Sequence, residues 1–471
     1  MTIGRIPDDV LLEVFNIYLD NAYGGDKWHT LVHVCRRWRN VAFASPRRLD
    51  LRLRCTYTRS VREMLDIWPE LPIIIDEYRF CSQEEAEGSN NIIDALELND
   101  RVSSIRLLGV SISELERVVT VLKDPFPALT HLILWSDDEM APVISDSFLG
   151  GSAPRLQHLS LNRIPFPALP KLPLSATDLV ALGLRNIPHS GYISPEAMVA
   201  CLSALTRLES LFLGFRSPRP RLSREKPPPT RTILPSLTHF DFKGVSEYLG
   251  DLVARIDTPS LKSIEITFFN QLVFDILQLP SFLCRTEKFA VLDGAKVFFE
   301  DDSIRVKFSS RIGTTLMLQI SCSQLDWQLS SIAQVCNSSL STLSTLERLD
   351  LVNLYDPYDT DLQLAPDDME NIQWLELLHP FPNVKNLHLP AQVTSCIAPA
   401  LQELTGERVI EVLPALQNIF FNELDDGPEP VPAAIWDFGA ARQLSGCPVD
   451  VHRRRWDSRR GTWVVIESTT Q

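Results

Sequence analysis

A short apolar signature repeats along most of this chain and limits its possible folds more than any other feature. The unit L-x-x-L-x-L, with apolar substitutes, occurs at Val102-Ile105-Leu107, Leu129-Leu132-Leu134, Leu156-Leu159-Leu161, Leu179-Leu182-Leu184, Leu208-Leu211-Leu213, Leu237-Phe240-Phe242 and Leu261-Ile264-Ile266. It returns at Leu346-Leu349-Leu351, Val384-Leu387-Leu389 and Leu416-Ile419-Phe421. Starts from Val102 to Leu261 lie 27, 27, 23, 29, 29 and 24 residues apart. The last two apolar positions of each unit are two apart, the spacing that puts side chains on one face of a strand. Helix-like segments lie between. Ser194 offers an N-cap, Pro195 a first-turn proline, and Met198, Leu202 and Leu205 an apolar stripe. Ser113 and Glu116 with apolar residues at 118, 119 and 122, and the span Asp367–Leu378, read the same way. Strand, turn, helix and turn, repeated at a near-constant interval, predict α/β architecture in the form of a curved solenoid with a parallel β-sheet.

The period of the first half falls in the range of leucine-rich repeats, which the chain resembles over roughly residues 100–425. That family commonly places Asn three residues past the last strand leucine. Here those positions hold Ile164, Ile187, Val245, Phe269 and Leu354. An apolar spine in place of an asparagine ladder makes an irregular solenoid the expectation. The interval from Leu261 to Leu346 is 85 residues, room for three units, with weak copies at Phe289-Ala-Val291 and Leu316-Met-Leu318-Gln-Ile320. The alternating runs Lys296-Val-Phe-Phe-Glu and Ile304-Arg-Val-Lys-Phe suggest instead a local antiparallel hairpin within 285–320. Both readings stay open at this level.

Ahead of the repeats stand two amphipathic patterns. Residues 6–20 read Ile-Pro-Asp-Asp-Val-Leu-Leu-Glu-Val-Phe-Asn-Ile-Tyr-Leu-Asp, with Pro7, Leu11, Val14, Phe15 and Tyr18 on one stripe. Proline suits a helix start, and Asp8 and Asp9 suit the positive end of its dipole. Residues 31–42 place Leu31, Val34, Cys35, Trp38, Val41 and Ala42 on a second stripe. So short a segment cannot bury much surface alone, so both stripes need cover from elsewhere. The order Pro, Leu-Leu-x-x-Phe, Val-Cys-Arg-Arg-Trp resembles an F-box. Ile6 stands where that pattern usually has Leu, and residues 21–26 are inserted between the helices. The resemblance implies docking on a Skp adaptor of a cullin-RING ubiquitin ligase through Pro7, Leu11, Val14, Phe15, Leu31, Val34, Cys35 and Trp38. An F-box before irregular leucine-rich repeats resembles the large F-box protein sets of basidiomycete fungi. The implied organisation is an F-box over 1–50, a connecting segment over 51–98, a solenoid over 99–425 and a C-terminal cap and tail over 426–471.

Charge and cysteine usage narrow the function further. Net charge is −15, although residues 1–62 carry eleven Lys/Arg against six Asp/Glu. An acidic body argues against general nucleic-acid binding; the basic head reads as a solvated face or a surface for an acidic protein. No run of about 18 apolar residues suggests a membrane span, and the first residues lack a signal-peptide core. Nine cysteines without C-x-x-C read as reduced thiols, so the expected compartment is cytoplasmic or nuclear. The proline-rich stretch 216–232 is too polar to bury and reads as a mobile loop. Acidic stretches at Asp137–Glu139, Asp356–Asp368 and Asp425–Glu429 lack calcium-loop spacing.

Catalytic patterns are missing: no phosphate-binding glycine loop, G-x-S-x-G or H-E-x-x-H occurs. His29 and His33 are four apart but lack further ligands, so neither a metal nor a cofactor is expected. Strand alternation instead predicts an outward face for an unknown target protein. It comprises His131, Trp135, His158, Asn162, Arg185, Phe212, His239, Asp241, Lys243, Glu265, Arg348, Asp350, His388 and Phe420. Trp135, Phe212 and Phe420 are its candidate hot spots; Arg453–Trp456 is a competing surface. The expected function is a non-enzymatic substrate receptor of a ubiquitin ligase, with a ligase-independent adaptor-binding scaffold as the alternative.

Overall fold

The computed structural model describes residues 6–20, 27–78, 87–138, 141–219, 230–289, 292–300, 302–322, 325–339, 345–353, 371–404, 406–423, 431–457 and 462–469. Two compact units, Met1–Leu208 and Glu209–Gln471, divide the chain.

The first unit opens with helices α1 (Asp8–Asp20), α2 (Trp28–Val34) and α3 (Arg36–Ala44). The second apolar stripe is thus split, because Cys35 is extended between α2 and α3. Arg39 then donates from Nε to the Val32 carbonyl at the end of α2, 3.0 Å away. Strands β1 (Leu53–Cys55), β2 (Ile73–Tyr78), β3 (Val102–Val110), β4 (His131–Ser136), β5 (His158–Asn162) and β6 (Ala181–Ile187) pair in chain order. Every one of these pairs is parallel. The connections hold α4 (Val61–Leu65), α5 (Glu87–Leu96), α6 (Ile112–Val121) and short 3₁₀ turns; α7 (Pro195–Ser203) follows β6. Ser194 caps α7 by accepting from the Ala197 N–H at 3.2 Å. Residues 51–98, expected to be a connection, supply two sheet strands. Leu53, Cys55, Ile73 and Ile75 alternate into the core there without the full leucine signature.

The second unit continues with β7 (Ser210–Phe215), β8 (Thr232–Ile233), β9 (His239–Gly244), α8 (Ser246–Val253), β10 (Ile256–Asp257), β11 (Ser263–Phe269) and α9 (Gln278–Cys284). Next come β12 (Gly294–Glu300), β13 (Ser303–Ser309), β14 (Thr315–Ser321), α10 (Leu325–Ser339), β15 (Arg348–Asn353), α11 (Asn371–Leu378) and β16 (Asn386–Pro390). The unit ends with α12 (Ala391–Gln402), β17 (Asn418–Glu423), α13 (Ala433–Leu444), β18 (Asp450–Asp457) and β19 (Thr462–Thr469). Its sheet runs β7-β9-β11-β14-β13-β12-β15-β16-β17-β18-β19.

The open interval resolves as an antiparallel meander inserted in reversed order. Strand β14 lies beside β11, β12 beside β15, and both outer contacts are parallel. Residues 426–471 are more than a cap, since β18 extends the parallel array and only β19 turns back against it. Thr232, placed at the end of the proline-rich loop, belongs to a short strand paired with β10. Residues 220–229 of that loop, the insertion 21–26, Leu354 and the acidic stretches 356–368 and 425–429 lie outside the described residues.

All thirty apolar positions of the ten units are buried, none more than 3% exposed. Each such Leu, Ile, Val or Phe contributes about 1.5–3 kcal/mol relative to exposure. Ile164, Ile187 and Val245 are buried behind them as an apolar spine, while Phe269 is only half-buried. Charged side chains are buried too, Arg442 most completely among the described residues. Arg442 on α13 is fully buried and donates to the carbonyls of Val409, Leu413, Pro414 and Leu416 at 3.1–3.3 Å. Burial pushes its guanidinium pKa down.

Candidate functional site

In the first unit the head separates two neighbouring stripes of α1. Leu11 and Phe15 turn inward with Leu31 of α2, and the Phe15 ring lies 4.8 Å from that of Trp38 on α3. Asp8 accepts from Arg37 on α3 and Glu13 from Arg48 just beyond it, fastening α1 to α3 and its C-terminal turn. Burial of Leu11, Phe15 and Leu31 in the head's own core corrects the expectation that they reach a partner. Pro7, Val14, Val34 and Cys35 are exposed and Trp38 is half-buried. Beside Val14, α1 also exposes Val10, Ile17 and Tyr18, Ile17 by 60%. The spacing of 7, 10, 14, 17 and 18 makes one uncovered apolar stripe. Behind α2, Trp28 is buried and donates Nε1–H to the Arg52 carbonyl at 3.0 Å. His29 stacks on it at 3.7 Å and hydrogen-bonds to Arg59 at 2.9 Å, and the His33 ring meets Trp68 at 5.6 Å. The two histidines are therefore part of an aromatic cluster.

The outward face of β4–β6 carries the expected residues in register. His131 pairs with His158, their rings stacked 4.4 Å apart, and Trp135, Asn162 and Arg185 lie in register further along the strands. Burial, with His158 and Arg52 nearby, lowers the His131 pKa. Arg185 is exposed, and Trp135 and Asn162 are half-buried. Asn186 donates to Asn162 at 2.9 Å.

The second unit arranges its outward residues in a transverse row. From β9 through β18 the register places Asp241, Glu265, Met317, Lys307, Lys296, Asp350, His388, Phe420 and His452 side by side. Phe212 on β7 joins beside Asp241, with His239 and Lys243 two residues to either side on β9. Asp350 anchors the densest part. Arg348 grips it through two hydrogen bonds of 2.8 and 2.9 Å, and Lys296 Nζ lies 3.7 Å away. His388 Nδ1 accepts from Arg454 at 2.9 Å, leaving its Nε2 3.8 Å from Asp350. The Arg454 guanidinium also covers the Phe420 ring at 3.6 Å, and that ring stacks between His388 and His452 at 4.7 and 4.9 Å. Desolvation holds the His388 pKa down to about 4; Asp350 opposes that shift, while Arg348, Arg454 and Lys296 reinforce it.

This packing corrects part of the expected target surface. Asp350 and His388 point outward, yet each is only 6% exposed because arginine and lysine side chains lie over them. Phe420 is likewise sandwiched and is no free hot spot. Lys296, Lys307, His452 and Arg454 were not anticipated on this face. The alternation in Lys296-Val-Phe-Phe-Glu and in Val451-His-Arg-Arg-Arg-Trp456 was the available signal. Beside Lys296 and Arg348 opens a cavity of about 550 Å³, lined also by Ser309, Arg311, Thr345 and Asn386. Among the described residues no group of three or more His, Cys, Asp or Glu side chains is placed to hold a metal, and no helix is long and apolar enough to cross a membrane. No protein-family model matches the chain, and no curated protein matches it.

Proposed function

We propose that this chain is the substrate-recognition subunit of a cullin-RING ubiquitin ligase, with its helical head docking on a Skp adaptor and its sheet face holding a target protein. The observation that carries the reading is the uncovered apolar stripe of α1, Val10, Val14, Ile17 and Tyr18, in a head with the F-box order of residues. A head left in water gains nothing by exposing such a stripe, and docking of the helix into a partner's groove is the usual cover. The outward sheet face supports the second half, because repeated parallel units offer an extended surface of varied side chains.

Co-purification with a Skp adaptor and cullin tests the proposal. The full chain retains both, whereas Pro7→Ala/Trp38→Ala weakens retention, Trp38→Ala by about 2–4 kcal/mol if it acts as an anchor. Normal retention by the double variant, together with normal retention by Val14→Asp/Ile17→Asp, refutes the docking surface. Adaptor recovered without cullin marks a ligase-independent scaffold.

A further inference from the structure

The meander β12–β14 sets two lysines directly opposite each other on the outward face. Lys296 of β12 and Lys307 of β13 are an antiparallel cross-strand pair, both exposed. Like charges in that relation oppose folding, and the chain around them is strongly acidic overall, with net charge −15. The nearest acid on their row is Asp350, whose two oxygens both accept from Arg348. Among the described residues no carboxylate pairs with Lys307. Two other acids on the cavity rim are matched by their own bases, Asp293 by Arg311 at 3.1 Å and Glu347 by Lys385. Lys296 and Arg348 on the adjacent strands β12 and β15 thus share one carboxylate at a cavity that also presents Ser309, Thr345 and Asn386, and Lys307 on β13 stands directly beside Lys296.

We infer that the Lys307–Lys296–Arg348 corner is an oxyanion subsite that takes the carboxylates or phosphate of an acidic segment of the target protein. Strand spacing of about 4.8 Å spreads the three cations over about 10 Å. Two acidic side chains of an extended segment crossing the strands span a comparable distance. Buried Asp350 acts as the positioning residue, holding the Arg348 fork so that its remaining N–H groups face the cavity mouth. Lysine supplies point charges to either kind of oxyanion, and arginine adds a planar fork. This inference rests on the sheet face being the target-holding surface.

The test selects a displayed library of short random peptides on the full chain, then on Lys296→Gln/Lys307→Gln, with Lys171→Gln as a control that removes a lysine from the first unit. Both lysines of the pair are exposed, so the double variant should fold with an unchanged or raised melting temperature. Enriched peptides should carry clustered acids. One of them, synthesised with glutamate, phosphoserine or glutamine at those positions, is then measured by fluorescence anisotropy. The oxyanion forms should bind and weaken with salt, and the glutamine form and the double variant should each lose about tenfold. The tighter of the glutamate and phosphoserine forms identifies the source of the oxyanion. Acid-free peptides that bind the parent and the double variant alike, but weaken with Phe212→Ala, overturn the subsite while leaving the target-holding face standing. Peptides indifferent to all of these changes overturn both.

Discussion

Acidification should loosen the centre of the second sheet through His388, and the size of the effect follows from its surroundings. The imidazole is neutral in the folded chain because burial disfavours its charged form and because Arg454 donates to Nδ1. Its folded pKa of about 4 lies below the ordinary 6.5. Between those values the unfolded chain binds a proton that the folded chain does not, so stability falls as pH drops. The loss begins below pH 6.5 and is complete near pH 4. At about 1.4 kcal/mol per pH unit the ceiling is about 3 kcal/mol. His388→Gln removes the titrating group and keeps an acceptor for Arg454, so it should abolish this part of the acid sensitivity. Histidine-selective NMR titration, with His388 assigned by its loss in the variant, reads the pKa directly. Hydrogen exchange of β15–β17 at several pH values reads the stability. A His388 signal titrating near 6.5, or equal acid sensitivity in parent and variant, would refute the reasoning.

Three other perturbations separate structural from docking roles. Ile17→Asp lies on the exposed stripe and should change stability by no more than about 0.5 kcal/mol, while adaptor retention is lost; Phe15→Ala should instead destabilise the head by about 3–5 kcal/mol. Thermal unfolding beside adaptor pull-down distinguishes the two. Arg442→Leu removes the donor that the Val409, Leu413, Pro414 and Leu416 carbonyls share, although Leu413 keeps the Leu416 N–H, and should cost about 3 kcal/mol, read as faster amide exchange in β17 and β18. Gly191→Ala would place a Cβ 2.7 Å from the Pro165 backbone; overpacking of that kind costs about 1–3 kcal/mol, and an unchanged melting temperature would show that the turn yields.

The amino-acid sequence by itself determined the strand cores and the helix following β6. A two-residue alternation fixes which side chains share a face, and that local rule holds wherever the strand pairs. Leu159 and Leu161 are buried for the same reason that His158 and Ser160 face outward. Ser194 and Pro195 mark a helix start through groups within one turn of each other. Pairing order, by contrast, is decided by crossovers between distant segments. Nothing local to Lys296-Val-Phe-Phe-Glu states that β12 skips past two strands, or that its neighbours become Lys307 and Asp350. The alternation in 51–55 and 73–75 was present but too short to stand out, and only pairing made strands of it. On α1 the sequence offers two adjoining apolar stripes, and packing against α3 chose Leu11 and Phe15 for the interior. Arg442 shows the same dependence: composition places arginine outside, while four inward carbonyls between Val409 and Leu416 make its burial favourable. Tertiary structure alone brings together groups that no sequence period connects, because register and burial are properties of the assembled sheet rather than of any one strand.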